Sequence, residues 1–146
     1  MSDAATEDSL TIALFSEIMT SDQLIRAKLS KALPKGMEVS HFSVLNHLAH
    51  QGGERTPAQL ARLFSVTKGA MTNTLTKLDL AGYVHIRPDW DDARKKKVAL
   101  SAAGRLARDH AIKSVEPVFD GVIERLGADK IKMILPVLRE LRSGLS

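Results

Sequence analysis

The chain has 146 residues, a length typical of one domain with room for a sizeable hydrophobic core. The absence of cysteine excludes disulfides, thiolate metal sites and cysteine redox sensors. The net charge is +4, and residues 54–100 alone hold nine Lys or Arg against five Asp or Glu. A segment that carries the whole excess of positive charge favours an anionic partner, with nucleic acid as the first candidate.

Nothing in the sequence predicts a membrane-spanning or exported segment. No apolar run approaches the roughly 18 residues of a transmembrane helix. Residues 1–9 are acidic and polar, unlike a signal or transit peptide. We therefore expect a cytoplasmic protein that makes no contact with a membrane.

Helical periodicity marks the N-terminal part of the chain. Apolar residues recur at helical spacing over residues 9–33, apart from a polar break at residues 20–22, and Pro34 stops that helix. Ser40 is predicted to cap a second, shorter helix that ends at the Gly52-Gly53 pair.

The clearest local signals mark a helix-turn-helix. At Thr56, Pro57 and Gln59, a hydroxyl cap, a proline in the first helical position and a capping-box glutamine coincide. A second helix start follows at Thr67, and Gly82 is predicted to end that helix in a left-handed conformation. Three apolar residues define the predicted inner face of this second helix: Met71, Leu75 and Leu78.

A change of period follows these two helices. Apolar and polar residues alternate over residues 84–87 and 97–100, which predicts two strands joined by a polar loop over residues 88–96. A charged ribbon after a helix-turn-helix is a wing. Strand alternation predicts Lys95 and Lys97 on one face of the ribbon and Lys96 on the other.

The C-terminal third returns to a helical period. We expect Gly127 to interrupt these helices, and Pro117 and Pro136 to kink or break them. The first helix and the last two carry more apolar surface than one small core can cover, which favours a symmetric homodimer. The predicted dimer-interface residues are Leu10, Leu14, Ile18, Phe119, Val122, Ile134, Leu138 and Leu141.

Together these elements predict a mainly α fold with a small β-wing. Residues 1–146 are expected to form a single domain. Within it, residues 40–100 are the winged helix-turn-helix, a DNA-binding region, and residues 10–33 and 105–143 are the dimerisation helices.

Three segments carry a resemblance to a known family: residues 56–61, residues 75–84 and residues 91–104. The last of these begins with an acidic–arginine run, Asp91-Asp92-Ala93-Arg94, and leads through a strand and a hydroxyl cap to a glycine. In this order and spacing the chain resembles the MarR family of bacterial transcriptional regulators. The resemblance implies a homodimeric winged helix-turn-helix repressor or activator, whose affinity for a double-stranded DNA operator changes when a small-molecule effector binds.

The outward face of the second helix of the motif is predicted to read DNA. Asn73 can bond adenine through two hydrogen bonds, and Thr72 can contact a thymine methyl or a phosphate. Arg94 on the wing can enter a narrow minor groove or pair with Asp91 or Asp92, and both alternatives stay open. The residues predicted to contact DNA are Thr56, Thr67, Lys68, Gly69, Thr72, Asn73, Thr76, Lys77, Arg87, Arg94, Lys95 and Lys96.

Other functions find less support in the sequence. His41 and His110 are candidates for lining an effector pocket between the dimer helices and the winged domain. A metal-responsive regulator that uses histidines is an alternative, but paired ligand motifs are absent, and no metal or cofactor is predicted. A winged helix that binds protein is a further alternative. It would require acidic or apolar residues on the outer face over residues 67–81, whereas the sequence has the basic and polar residues named above. An enzyme is not indicated, because the sequence lacks a phosphate-binding loop, a nucleophile elbow and paired carboxylates.

Overall fold

The structure is a computed structural model that describes the backbone of residues 3–146 and the side chains of residues 9–146. The acidic side chains of the N-terminal segment therefore lie outside the described residues. The helices are α1 (Asp3–Ala32), α2 (Val39–Gln51), α3 (Pro57–Leu63), α4 (Lys68–Leu80), α5 (Ala102–Leu126) and α6 (Ala128–Leu145). The strands are β1 (Glu54–Arg55), β2 (Val84–Pro88) and β3 (Lys96–Leu100). The predicted fold class, mainly α with a small β-wing, is confirmed.

The strands form one antiparallel sheet in the order β1-β3-β2. Arg87 of β2 pairs with Lys97 of β3, which confirms the predicted ribbon. The sequence pattern does not reveal β1, where Glu54 pairs with Ala99, because two residues are too few for alternation to be recognised. Since β1 directly precedes α3, it fastens the start of the helix-turn-helix to the wing.

The main core lies between α2, α3, α4 and the sheet. Met71, Leu75 and Leu78 are buried on the inner face of α4, as predicted. They belong to one cluster with Leu45 of α2 and Leu60 of α3. Burying each such side chain stabilises the fold by roughly 1.5–3 kcal/mol. Packing therefore fixes the rotation of α4 about its own axis, and with it the face that α4 turns to solvent.

The predicted helix starts of the helix-turn-helix are confirmed. The Thr56 hydroxyl accepts from the Gln59 backbone N–H over 3.1 Å, and the Gln59 side chain accepts from the Thr56 backbone N–H over 2.9 Å. Thr67 accepts likewise from the Ala70 backbone N–H over 3.1 Å. Gly82, at a φ of 80°, ends α4 in the left-handed region. These local bonds set the lengths of α3 and α4.

The start of α2 differs from the prediction. The helix begins at Val39 after Glu38, so Ser40 lies inside its first turn and does not cap it. The Glu38 backbone N–H donates instead to Nδ1 of His41 over 3.0 Å. The sequence pattern missed this cap because the ring of the third helical residue supplies the acceptor, not a Ser, Thr, Asp or Asn side chain. The predicted end at the Gly52-Gly53 pair is confirmed.

The long helices are more continuous than predicted. The polar break at residues 20–22 does not interrupt α1, since Asp22 forms an ion pair with Arg26 one turn later at 3.0 Å. Pro117 and Pro136 lie inside α5 and α6 and break neither helix. Each proline removes one backbone donor, and the turns on both sides of it keep their own bonds. Gly127, at a φ of 85°, separates the two helices as expected.

The first turn of α5 is fastened to the turn that ends α4. The Ser101 hydroxyl donates to the Gly82 carbonyl over 2.6 Å and accepts from the Gly104 N–H over 2.9 Å. The Ser101 N–H donates to the Tyr83 carbonyl over 3.0 Å. At Gly104 the two segments approach so closely that a Cβ atom would lie 2.0 Å from the Tyr83 oxygen. The winged domain is thus joined to the C-terminal helices by a tight backbone contact.

Candidate nucleic-acid interface

A basic recess lies between α3, α4 and the wing loop, with a volume of about 600 Å³. Five of the described residues that line it are basic and none is acidic. Its lining consists of Thr56, Pro57, Ala58, Gln59, Arg62, Lys68, Thr72, Arg94, Lys95 and Lys96. We call this surface the basic recess.

The exposed face of α4 borders the basic recess. Since residues of a helix are about 100° apart around its axis, Gly69 and Asn73 lie opposite the buried stripe of Met71, Leu75 and Leu78. Asn73 is exposed, and a Cβ atom added at Gly69 would meet no atom within 4 Å. Gly69 and Asn73, at the centre of the predicted reading face, are therefore open to solvent.

Two residues of α4 that are predicted to contact DNA already form bonds within the protein. The Thr76 hydroxyl donates to the Thr72 carbonyl over 2.9 Å, which leaves its oxygen free to accept. The Lys77 ammonium lies 3.9 Å from a Glu38 carboxylate oxygen. Lys77 lines a different recess, between the α1–α2 loop and the end of α4. The structure therefore does not bring Lys77 to the basic recess.

The wing loop presents Arg94 to solvent, with 93% of its side chain exposed. Its Nε lies 3.4 Å from Asp92 Oδ1, and its backbone N–H donates to the same oxygen over 3.1 Å. Asp92 is thus the partner in the pair that the sequence left open between Asp91 and Asp92. The carboxylate holds one side of the guanidinium and leaves the other side open to a further anion.

The three lysines after Arg94 do not alternate as predicted. Lys95 precedes β3, where strand alternation does not yet apply, and it lines the basic recess together with Lys96. Lys97 pairs with Arg87 across the sheet and so shares the opposite face with it. The prediction that grouped Lys95 with Lys97 was wrong, because β3 begins at Lys96 and strand alternation therefore does not extend to Lys95.

Arg87 lies away from the basic recess, on the outer face of the sheet. Its guanidinium forms an ion pair with Glu54, and Nη1 donates to the Pro88 carbonyl over 2.9 Å. The Trp90 ring lies 5.4 Å from the guanidinium carbon. The sequence does not predict the pair of Arg87 with Glu54, because 33 residues separate the two and no local pattern links them.

The two histidines of the predicted effector pocket occupy different environments. His41 is buried at the start of α2, whereas His110 is exposed on α5. Burial lowers the pKa of His41, the Glu38 carboxylate opposes that shift, and the Lys77 charge adds to it. Burial also lowers the pKa of His47, beside Arg55. Among the described residues, no group of three His, Asp or Glu side chains is placed to hold a metal ion.

A third recess, of about 300 Å³, lies where α1 meets the winged domain. Arg26 of α1 lines it together with Ser40 and Ser43 of α2 and Asn73 of α4. Phe64, Val66 and Met71 supply apolar walls. A molecule in this recess would touch a dimerisation helix and the reading face of α4 at once. We call this cavity the junction recess.

The apolar faces of α1 and α6 are only partly covered within the protomer. Leu10 is 73% exposed, Leu14 49% and Ile134 50%, and α6 has no buried residue. Phe119, Ile18 and Leu141 are half-buried among the predicted dimer residues, and Phe119 packs partly against Leu33 and Val115. None of the described helices is long and apolar enough to cross a membrane.

Comparison with known proteins extends these observations. A family model described as MarR family matches residues 35–95. The HTH-type transcriptional repressor Rv2887 of Mycobacterium tuberculosis is 32% identical over 121 residues, which are 82% of this chain and 86% of that protein. The uncharacterized HTH-type transcriptional regulator YwhA of Bacillus subtilis is 26% identical over 94 residues, 64% of this chain and 68% of that protein.

Two solved structures of MarR from E. coli share the fold. The apo form of the wild-type protein has a TM-score of 0.74 and 25% identity, and the match covers 88% of this chain and 96% of that chain. A mutant complexed with operator DNA has a TM-score of 0.73 and 24% identity, with 91% and 96% covered.

A helix-turn-helix packed on a three-stranded sheet, with a charged loop beside the second helix, defines a winged helix-turn-helix protein. The curated relative at 32% identity, matched over most of both chains, narrows this class further. The chain belongs to the MarR family of transcriptional regulators. The resemblance identified from the sequence is thereby confirmed.

Proposed function

We propose that the protein is a homodimeric repressor that binds a double-stranded DNA operator in the cytoplasm. The observation that carries this proposal is the basic recess, where cations from α3, α4 and the wing converge without an acidic neighbour among the described lining residues. Such a surface suits the phosphate backbone, which supplies much of the affinity in protein–DNA complexes. The M. tuberculosis relative is named a repressor, which supports repression of transcription over activation.

The exposed residues divide into two groups by their chemistry. Asn73 and Thr72 on α4 enter the major groove, where an amide can read adenine and a methyl can contact thymine. Lys68, Lys95 and Lys96 neutralise phosphates and position the protein without reading sequence. Arg94, held on one side by Asp92, follows the minor groove.

A second copy of the chain covers the apolar faces of α1 and α6. Exposed leucine and isoleucine on both helices would otherwise remain in water, at a cost of roughly 25 cal/mol for each Å² of apolar surface. We expect an interface above about 2,000 Å² in total, as in obligate dimers. A two-fold dimer binds a pseudo-palindrome whose half-sites lie about one helical turn, 10 bp, apart.

A small molecule regulates this binding from the junction recess. The recess combines apolar walls with hydroxyls and the Arg26 guanidinium, which suits an aromatic or carboxylate compound. A ligand there changes the position of α4 relative to α1, and so the spacing of the two reading helices in the dimer. His41 lines the neighbouring recess beside Lys77, and its buried ring makes its role mainly structural.

Selection of bound sequences from random duplexes tests the proposal. At a fixed salt concentration near physiological, the protein should recover a pseudo-palindrome with half-sites about 10 bp apart. The variant Lys68→Gln, which removes one cation from the basic recess, should bind the recovered sequence more weakly at every salt concentration. Recovery of unrelated sequences, or sedimentation as a 15.9 kDa monomer at micromolar concentration, would contradict the proposal.

A further inference from the structure

The sheet brings Glu54 and Arg87 together from its two outer strands. Glu54 of β1 and His85 of β2 both pair with Ala99 of β3, from opposite sides. Arg87 lies two residues after His85, and therefore on the same face of the sheet. The Glu54 carboxylate reaches past the central strand to Nη2 of Arg87.

Three contacts fix the Arg87 guanidinium. Besides Glu54, it bonds the carbonyl of Pro88, the last residue of β2, over 2.9 Å. It also lies 5.4 Å from the centre of the Trp90 ring, within the range of a cation–π interaction. Trp90 belongs to the wing loop and is 83% exposed, and its contact with Arg87 joins it to the sheet.

The two ends of this chain of contacts lie at functional segments. Glu54 stands two residues before Thr56, which caps α3 and lines the basic recess. Trp90 stands in the same loop as Arg94 and Lys95, which line the other side of that recess. The contacts therefore run from the start of the helix-turn-helix to the wing loop.

We propose that Glu54, Arg87 and Trp90 form a wing latch, which holds the wing loop in position for DNA. Arg87 and Glu54 are positioning residues and do not contact DNA themselves. The latch reduces the number of wing conformations before binding, so the operator has less conformational freedom to remove when it binds. This inference rests on the proposed function for its effect on affinity, although the latch itself exists in the free protein.

Electrostatics alone and the wing latch predict opposite changes in operator affinity when the charge of Glu54 is removed. If only electrostatics mattered, removing an acidic residue near the DNA surface would strengthen binding. If the latch positions the wing, Glu54→Gln weakens operator binding, by about fivefold for the loss of a half-exposed ion pair and its cation–π partner. Asp91→Asn is the matched control, because it removes the same charge from the exposed wing loop and should leave affinity unchanged or raised.

Two further variants separate the latch from a direct phosphate contact. Glu54→Asp keeps the charge and shortens the side chain, so weaker binding of this variant cannot come from electrostatics. If Arg87 acts only through the latch, Glu54→Gln combined with Arg87→Gln binds no more weakly than Arg87→Gln alone. Additive losses, or an operator affinity that Glu54→Gln and Glu54→Asp leave unchanged or raise, would overturn the latch.

The free protein offers a test that does not involve DNA. Trp90 is the only tryptophan of the chain, so time-resolved fluorescence anisotropy reports its motion alone. Glu54→Gln should increase the fast depolarisation of Trp90, and Asp91→Asn should not. An unchanged decay in Glu54→Gln would refute the latch even if the operator binds as proposed. Failure of the wild-type protein to bind any duplex, with the expected anisotropy change, would refute the proposed function instead.

Discussion

Gly104→Ala should destabilise the protein far more than an ordinary glycine replacement in a helix. The added Cβ would lie 2.0 Å from the Tyr83 carbonyl oxygen and 2.9 Å from its carbonyl carbon, both backbone atoms that cannot rotate away. The first turn of α5 must therefore move by about 1 Å, which strains the Ser101 bonds to Gly82 and Tyr83. Overpacking costs about 1–3 kcal/mol, and each weakened bond adds about 1 kcal/mol.

Helix propensity opposes this loss by about 1 kcal/mol, because alanine favours a helix over glycine. The expected net loss is about 2–4 kcal/mol in urea unfolding, or a fall in Tm of roughly 5–15 °C for a chain of this size. Gly121→Ala is the matched control, since it makes the same change in α5 where no atom lies within 4 Å, and it should gain up to about 1 kcal/mol. Equal effects of the two variants would refute the close approach at Gly104.

Three more predictions concern stability and assembly. Ser65→Gly should raise the free energy of unfolding by about 1 kcal/mol, because Ser65 holds a φ of 51° that glycine adopts freely; a decrease in stability would contradict this. Leu138→Asp should dissociate the dimer in sedimentation while the circular dichroism of the helices persists; an unchanged dimer would show that the interface lies elsewhere. Stability should fall between pH 7 and pH 5, because burial lowers the pKa of His41 and the unfolded chain binds more protons below about pH 6.5. His41→Asn keeps an acceptor for the Glu38 N–H and should reduce the pH dependence of the free energy of unfolding, measured by urea titration. An equally steep pH dependence in this variant would show that other groups cause it.

Local chemistry explains which parts of the fold could be predicted from the sequence. The caps at Thr56 and Thr67 depend on residues three positions away, so the pattern contains all the information needed. The buried face of α4 could be predicted for the same reason, because Leu75 and Leu78 lie three residues apart, at helical spacing. The start of α2 was missed because its N-cap is Glu38, which is not a standard cap residue, and the ring of His41 accepts from the Glu38 N–H.

Contacts between distant segments could not be predicted in this way. Arg87 and Glu54 meet only because β3 lies between their strands, and no spacing in the sequence records that arrangement. Arg108 of α5 likewise donates to the Asn46 side chain of α2, 62 residues away. For the candidate interface, the sequence therefore indicated the basic residues, and the structure was needed to separate Arg87 and Lys77 from those that share one recess.

Titration of Asn73→Ala and Arg94→Ala against the selected operator and a scrambled duplex, at several salt concentrations, tests the central claim most directly. Asn73→Ala should weaken binding to the operator alone, by about 1–3 kcal/mol, with an almost unchanged salt dependence. Arg94→Ala should weaken binding to both duplexes and reduce the slope of log K against log salt by about one for each phosphate that is no longer neutralised. Equally weakened binding to both duplexes for Asn73→Ala would contradict the account, because α4 would then present a different face to the bases.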